Sequence, residues 1–262
     1  MEFSYFRRKI KAQKMYRISC VKYTNSLPFI YGIRNSEFTI KPELSLDTPA
    51  DCYQKLLTDQ VDIGLVPVVA LRNMKEKYII SPYAIGADGA VRSVIMASVT
   101  ELKNIEKIYL DYQSRTSVQL VRILARDYWK IEPEFLDTKP GFAEEKIPGN
   151  SAYVIIGDRA FDFHYKGLKI YDLAAAWKGL TGKPFVFATW VSNKPPDEKF
   201  KAEFTEALKK GIDSRAAIIE EIQPGFKENT VDLYEYFYHN IKYDFDSDSI
   251  EGMELFLNLL QE

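Results

Sequence analysis

Apolar runs of strand length alternate with amphipathic segments of helix length along this chain, a pattern typical of layered α/β folds. The run 61–68, VDIGLVPV, is apolar at every position except Asp62 and predicts a parallel strand buried on both faces. The segment 114–130 predicts a helix instead, because its apolar positions recur every three or four residues. Further strands are predicted at 16–23, 38–46, 105–111, 152–158 and 184–191, and further helices at 48–60, 171–182, 197–222, 230–240 and 247–260.

These elements form two sets of strand–helix units, joined by strand-rich connections near 91–98 and 184–191. The arrangement predicts a two-lobe α/β clamshell with a ligand cleft between the lobes. We expect lobe one to comprise residues 1–97 and a returning segment, 190–262, that adds a strand and the C-terminal helices. Lobe two is expected to span 98–189. Residues 1–14 are predicted to be a frayed extension, with Met15 as an alternative start.

Composition excludes several classes of function. The formal net charge of -2 over 262 residues lacks the basic excess that nucleic-acid binding usually requires. No apolar run approaches the roughly 20 residues that span a bilayer, and the N-terminus lacks the apolar core of a secretory signal. We therefore expect a cytoplasmic protein without a membrane partner. Cys20 and Cys52 are predicted to be buried free thiols, and His164 and His239 lack metal-ligand spacing.

The strongest candidate for chemistry is the segment Ser114–Arg115–Thr116–Ser117, which follows the predicted strand 105–111. Ser114 suits the N-cap of the next helix, and capping alone explains that residue. Capping does not explain Arg115, because the positive end of a helix dipole disfavours a cation unless an anion lies opposite. Backbone N–H groups, hydroxyls and a guanidinium together would bind a carboxylate or phosphate. We therefore favour an anion site at 114–117.

Three other polar residues lie at the ends or beginnings of predicted strands, and each has a purely structural alternative. Asn25 could donate to a ligand oxygen or form an ordinary turn, which its position favours. Ser93 could hydrogen-bond a ligand, with Arg92 beside it, or be an ordinary strand serine. Asp158 could face the cleft or cap the helix that follows. The residues alone leave these alternatives open.

Motifs for common cofactors are missing from the sequence. It contains no GxGxxG, P-loop, GxSxG or HExxH motif, and no Cys–His or Ser–His pairing suggests itself. Chemistry that needs a nicotinamide, a nucleotide or a metal is therefore disfavoured, and we expect no cofactor and no metal.

A set of motifs, in this order, resembles the chorismate dehydratase family of the futalosine route to menaquinone. The resemblance is close over residues 16–192. Over the C-terminal helices it extends only to their general helical character. Thr24 and Lys183 depart from it, since leucine is frequent at both positions in the family. The motifs that carry it are YTNSLPF, VDIGLVPVVAL, VRSV, LDYQSRTSVQLVRIL, VIIGDRA and YDLAAAWKGLTGKPFVFATWV.

The resemblance implies a type II periplasmic-binding-protein fold and a hydro-lyase that converts chorismate to 3-enolpyruvylbenzoate. Aromatisation drives this loss of water, so no redox cofactor is needed. The resemblance also implies catalysis by Asn25 and Ser93 without a dedicated basic side chain, the enolpyruvyl carboxylate of the substrate acting as base. The two carboxylates of chorismate suit the predicted anion site at 114–117, and Asp158 is expected to contribute to substrate binding.

Two other functions remain as alternatives. One is the synthase of the same pathway that makes 1,4-dihydroxy-6-naphthoate, whose motifs resemble the 114–117 segment and the Asn25 turn less well. The other is a non-catalytic protein that binds a small anion for a transporter, which the lack of a signal segment disfavours.

Overall fold

Two mixed β-sheets organise the chain into two α/β lobes. A computed structural model describes residues 15–142, 149–165, 167–226 and 231–260. The expected extension, residues 1–14, lies outside the described residues. The first sheet has the strand order β11-β4-β10-β3-β1-β2. Its strands are β1 Arg17–Val21, β2 Glu43–Asp47, β3 Ile63–Pro67, β4 Tyr78–Ala87, β10 Phe185–Ser192 and β11 Lys242–Asp244.

Strand β3 lies near the centre of the first sheet, and all five of its residues are buried. It pairs in parallel with β1, where Ile18 faces Ile63, and β1 pairs in parallel with β2. The predicted buried parallel strand is thus confirmed, although β3 pairs antiparallel with β10 on its other edge. Because β10 returns from late in the chain, it joins the N-terminal half of this sheet to the C-terminal segment.

The second sheet has the order β7-β6-β8-β5-β9. Its strands β6 and β8 are parallel neighbours, whereas β5 runs antiparallel to both β8 and β9. All residues of β5 and of β8 are buried, so these two strands form the centre of lobe two. The strands are β5 Val94–Ser98, β6 Lys107–Leu110, β7 Glu134–Asp137, β8 Ser151–Ile156 and β9 Lys169–Asp172.

The helices begin and end at residues of suitable chemistry. The Thr48 hydroxyl accepts the N–H of Asp51 at the start of α2, as the sequence predicts. The Asp172 carboxylate caps α4, which ends at Gly182 with φ 71°. None of the described helices is both long and apolar enough to cross a membrane. They are α1 Leu27–Asn35, α2 Pro49–Leu57, α3 Thr116–Ile123, α4 Leu173–Thr181, α5 Glu198–Asp213, α6 Arg215–Ile222, α7 Leu233–Glu235 and α8 Ser247–Leu259.

Helix boundaries differ from the sequence expectation in the C-terminal region. The single helix expected at 197–222 is two helices, which meet at Ser214. The helix expected at 230–240 begins as α7, and its second half, Tyr236–Asn240, is a π-helical turn. Helix α3 likewise continues as a π-helical segment, Leu124–Trp129. Periodicity does not separate these helical types, because each keeps a similar apolar face.

The chain changes from one sheet to the other before β5 and again before β10. The expected lobe boundaries, 97/98 and 189/190, therefore fall inside these two strands and need correction. By sheet membership, lobe two begins between 87 and 94 and ends between 172 and 185. The sequence showed strand-like character at both connections, but periodicity does not reveal the sheet that a strand joins.

Candidate active site

A cavity of about 560 Å³, open to solvent, lies between the lobes. Its wall is largely apolar, and the residues at the carboxyl ends of β1 and β8 contribute to it, where α/β sheets commonly bind ligands. Among the described residues that line the cavity, Arg115 is the only one with a charged side chain. This lining contains no carboxylate, histidine or cysteine. The remaining polar lining residues are Tyr23, Asn25, Ser26, Ser114, Thr116 and Ser117.

The start of α3 forms the polar end of the cavity. The Ser114 hydroxyl accepts the N–H of Ser117 at 3.1 Å, so Ser114 has the capping role that its position predicts. Among the described residues, the N–H groups of Arg115 and Thr116 have no hydrogen-bond acceptor. The exposed Arg115 side chain adds a positive charge to the positive end of the helix dipole. The arrangement can bind an anion through N–H and hydroxyl donors.

Thr116 and Ser117 differ in their surroundings. The Thr116 hydroxyl donates to the backbone carbonyl of Phe187 on β10 at 3.3 Å and thereby joins the two lobes. The Ser117 side chain is almost fully buried and lines the same cavity. Of the two hydroxyls, that of Ser117 is the less committed to protein partners.

Asp111 holds the loop that leads from β6 to α3. Its side chain is fully buried and forms an ion pair with Arg159. It also accepts the N–H of Gln113 at 2.9 Å and that of Ile156 at 3.1 Å. The carboxylate thus fixes the ends of two adjacent strands beside the predicted anion site. Sequence reasoning missed this role, because no local pattern links Asp111 to a partner 48 positions away.

Asn25 lies in a 3₁₀ turn, Thr24–Ser26, directly after β1. The Tyr243 hydroxyl donates to the backbone carbonyl of Asn25 at 2.9 Å, and the Ser26 hydroxyl donates to Asn25 Oδ1 at 3.1 Å. The half-buried Asn25 side chain therefore lines the cavity from lobe one in a fixed orientation.

Asp158 lies outside the cavity lining, although a substrate-binding role was expected. Its two carboxylate oxygens accept the N–H of Thr24 at 3.0 and 3.3 Å, so it caps the turn that carries Asn25. The sequence analysis offered a second role for Asp158, as the cap of the helix that follows β8. Asp158 is indeed a cap, but the element that it caps is the Thr24–Ser26 turn of lobe one. Asp158 is exposed at the surface, but the neighbouring protein partly desolvates its carboxylate, which raises the pKa of Asp158 against the opposing effect of Thr24.

Ser93 also lies behind the cavity wall, and it is fully buried. Its hydroxyl accepts a hydrogen bond from the Tyr236 hydroxyl at 2.8 Å. The preceding residue, Arg92, has φ 62°, and its N–H donates to Asp172 at 2.7 Å, which holds the segment before β5 in place. Burial raises the pKa of Asp172 and of Tyr236, and sequence reasoning identified neither residue as part of the site.

The structure therefore brings five of the seven candidate residues to one cavity, namely Asn25 and the segment 114–117. Ser93 and Asp158 lie just outside it. No cluster of three or more histidine, cysteine or acidic side chains suited to a metal ion occurs in the described parts of the chain.

Comparison with known proteins identifies similar folds. A structural-genomics protein from Archaeoglobus fulgidus has a TM-score of 0.76 at 12% identity, covering 94% of this chain and 96% of that one. The alkanesulfonate-binding protein SsuA from Xanthomonas axonopodis pv. citri, solved with MOPS, has a TM-score of 0.65 at 14% identity, covering 95% of each chain. The fold is thus of the periplasmic-binding-protein type, as the sequence resemblance implied.

Sequence comparison gives a narrower result. The chorismate dehydratase of Thermus thermophilus is 22% identical over 265 residues, covering 94% of this chain and 95% of the relative. The family model described as menaquinone biosynthesis matches residues 16–262, which include every described candidate residue. The chain therefore belongs to the menaquinone biosynthesis family.

Proposed function

We propose that this protein is a chorismate dehydratase, a hydro-lyase that removes water from chorismate to give 3-enolpyruvylbenzoate. One observation carries the proposal: Arg115 and the hydroxyl residues at the start of α3 line the same cavity as Asn25. The described lining of this cavity contains no carboxylate. Membership of the menaquinone biosynthesis family and similarity to the Thermus thermophilus chorismate dehydratase support the reaction.

Chorismate carries two carboxylates, so a site for it needs donors and positive potential without competing acidic side chains. The free N–H groups of Arg115 and Thr116 would receive one carboxylate, with the Ser117 hydroxyl and the Arg115 guanidinium beside them. The apolar remainder of the wall, including Phe187 and Ile156, suits the ring.

The elimination removes the proton from the ring carbon that bears the enolpyruvyl ether and expels the hydroxyl of the adjacent carbon as water. A base must lie within hydrogen-bonding distance of that proton. The described lining offers no histidine, cysteine or carboxylate for this task. The enolpyruvyl carboxylate is tethered close to the proton, so proximity makes it the base in this proposal.

In the proposed mechanism, Asn25 stabilises the charge that develops as the proton leaves, because its amide lines the cavity and its orientation is held by Ser26. Ser93 is proposed to hydrogen-bond a substrate carboxylate. Because Ser93 is buried outside the cavity lining, this role requires the lining residues to move so that its hydroxyl contacts the substrate. Asp158 acts indirectly by capping the turn of Asn25.

Incubation of the purified chain with chorismate tests the function, with the product identified by ultraviolet spectrum and mass spectrometry against a sample without enzyme. The proposal expects an aromatic product lighter than chorismate by one water. Chorismate that is bound in calorimetry but not converted would indicate a binding protein instead. Chorismate that is neither bound nor converted would favour the 1,4-dihydroxy-6-naphthoate synthase.

A further inference from the structure

Tyr23 extends from lobe one into lobe two. It follows β1 and lies two residues before Asn25. Its hydroxyl donates to Gln113 Oε1 at 2.7 Å. Its ring packs on the backbone of Gly157, where an added Cβ would lie 3.0 Å from the ring. Because Gln113 and Gly157 both belong to lobe two, the Tyr23 side chain bridges the lobes, and it also lines the cavity.

Lobe two holds Gln113 in place as the acceptor of this bond. The backbone N–H of Gln113 donates to Asp111 Oδ1 at 2.9 Å, and its side-chain Nε2 donates to the Tyr112 hydroxyl at 3.0 Å. The second bond identifies Nε2 as the donor of the amide, so Oε1 is the atom that faces Tyr23. Arg159 Nη2 approaches the same oxygen at 3.5 Å. The Tyr23 hydroxyl therefore meets an acceptor whose orientation is set within lobe two.

The Tyr23 hydroxyl keeps its proton near neutral pH. Burial, and then the nearby Asp111 carboxylate, raise the pKa of Tyr23 above its usual range. The hydrogen bond accordingly keeps its direction, from Tyr23 to Gln113. The hydroxyl is also not the base that the described cavity lining lacks, because a protonated phenol does not accept the substrate proton.

This hydrogen bond lies beside both halves of the candidate site. Tyr23 is two residues before Asn25, and Gln113 directly precedes Ser114, the first residue of the predicted anion site. We propose that Tyr23 is a positioning residue, whose bond to Gln113 holds the lobes together before the substrate binds and sets the separation between Asn25 and the anion site. A site whose two halves lie at the correct separation in advance binds its ligand without first moving them.

Other interlobe hydrogen bonds beside the cavity use backbone groups. The Thr24 N–H donates to Asp158, and the Thr116 hydroxyl donates to the carbonyl of Phe187. The bond of Tyr23 differs because it joins two side chains, so one substitution of nearly equal shape removes it and leaves the backbone bonds in place. The loss of one neutral hydrogen bond should lower the ratio of closed to open molecules by about fivefold.

Pulsed electron paramagnetic resonance between spin labels on the two lobes tests the closing role without turnover. Glu37→Cys in lobe one and Lys103→Cys in lobe two place both labels at exposed positions, and the native cysteines are buried. In ligand-free protein, Tyr23→Phe should lower the ratio of short to long interlobe distances by about fivefold. It removes the hydroxyl and keeps the ring on Gly157. A distance distribution equal to that of the wild type would overturn the proposal.

Tyr78→Phe is the matched control, because its hydroxyl donates to Glu76 at 3.1 Å within lobe one. This control should leave the interlobe distances unchanged. Gln113→Leu removes the acceptor from the other side and should open the lobes as much as Tyr23→Phe does, so it also serves if Tyr23→Phe does not fold. In a Gln113→Leu background, Tyr23→Phe should cause no further opening. Additive opening would show that the hydroxyl acts elsewhere and would overturn the proposal.

Kinetics with chorismate test the consequence for the site, which rests on the proposed function. We expect Tyr23→Phe to raise KM by about two- to fivefold and to leave kcat within about twofold, because saturating substrate restores the closed state. A fall in kcat with an unchanged KM would show that the hydroxyl acts in the reaction itself and would overturn the positioning role. Failure of the wild type to convert chorismate would refute the function alone, since the distance measurement needs no substrate.

Discussion

Replacing Ser117 by alanine is the cleanest perturbation of the predicted anion site. The Ser117 side chain is 3% exposed and lines the cavity. Its backbone N–H already bonds the Ser114 hydroxyl at 3.1 Å, and the substitution leaves that cap intact. Ser117→Ala therefore removes one hydroxyl donor. Thr116→Ala would also remove the interlobe bond to Phe187, which would confuse the result.

The expected magnitude follows from the kind of bond that is lost. A hydrogen bond to a charged acceptor contributes about 1.5–3 kcal/mol, which corresponds to a weakening of substrate binding by roughly tenfold to a hundredfold. The effect should appear in KM and in the calorimetric affinity for the product. We expect a smaller change in kcat, because the carboxylate is bound in the ground state as well as in the transition state.

Ser98→Ala provides the matched control for Ser117→Ala. Ser98 is also fully buried, but its hydroxyl donates to the backbone carbonyl of Ser151 at 2.9 Å and accepts the N–H of Thr100 at 3.1 Å, outside the cavity lining. Because the substitution removes two hydrogen bonds, it should lower the free energy of unfolding by about 1–3 kcal/mol and leave KM unchanged. An unchanged KM in Ser117→Ala, or an equal rise in both variants, would refute the anion site.

Three further predictions concern stability, measured by urea unfolding. Asp111→Ala should lower the free energy of unfolding by about 3–5 kcal/mol, since it removes a fully buried carboxylate that pairs with the Arg159 guanidinium and accepts two backbone N–H groups. Gly157→Ala should lower the free energy of unfolding by about 2 kcal/mol, because φ is 65° at this position and an added Cβ would lie 3.0 Å from the Tyr23 ring. Because partial desolvation raises the pKa of the exposed Asp158 carboxyl above 3.8, the stability of the wild type relative to Asp158→Asn should fall as pH rises through that raised pKa.

Each of these predictions has a control or a contradicting result. Asp248→Ala breaks an exposed ion pair and should cost less than about 1 kcal/mol, and an equal cost for Asp111→Ala would refute its structural role. Gly182→Ala has a similar φ of 71° but open space, so it should cost only about 1 kcal/mol. A stability difference for Asp158→Asn that is constant with pH, or that grows as pH rises, would contradict the assigned direction.

Local chemistry explains which elements were predictable. Thr48 and Pro49 marked the start of α2, and the continuous apolar run predicted β3 as a buried strand. Ser114 was recognisable as a cap because its partner is three residues away. In each case the interacting groups are neighbours in sequence, so residue type and spacing carry the information.

The remainder of the site depends on contacts between distant segments. The Tyr236 hydroxyl meets Ser93 across 143 positions, and Asp158 caps Thr24 across 134 positions. No periodicity specifies such pairs, because only the packing of the two lobes and the C-terminal segment brings them together. Motif resemblance identified Asn25 and Ser93 as important but did not show that Ser93 accepts a hydrogen bond from Tyr236.

Proton NMR of chorismate incubated with the wild type and with Asn25→Ala tests the central claim most directly, namely that the cavity lined by Asn25 dehydrates chorismate. The account predicts that the wild type converts the ring signals of chorismate to those of a benzoate. It also predicts that folded Asn25→Ala binds chorismate but forms this product at least about a hundredfold more slowly. No aromatic product with the wild type, or equal rates for the two proteins, would contradict the account.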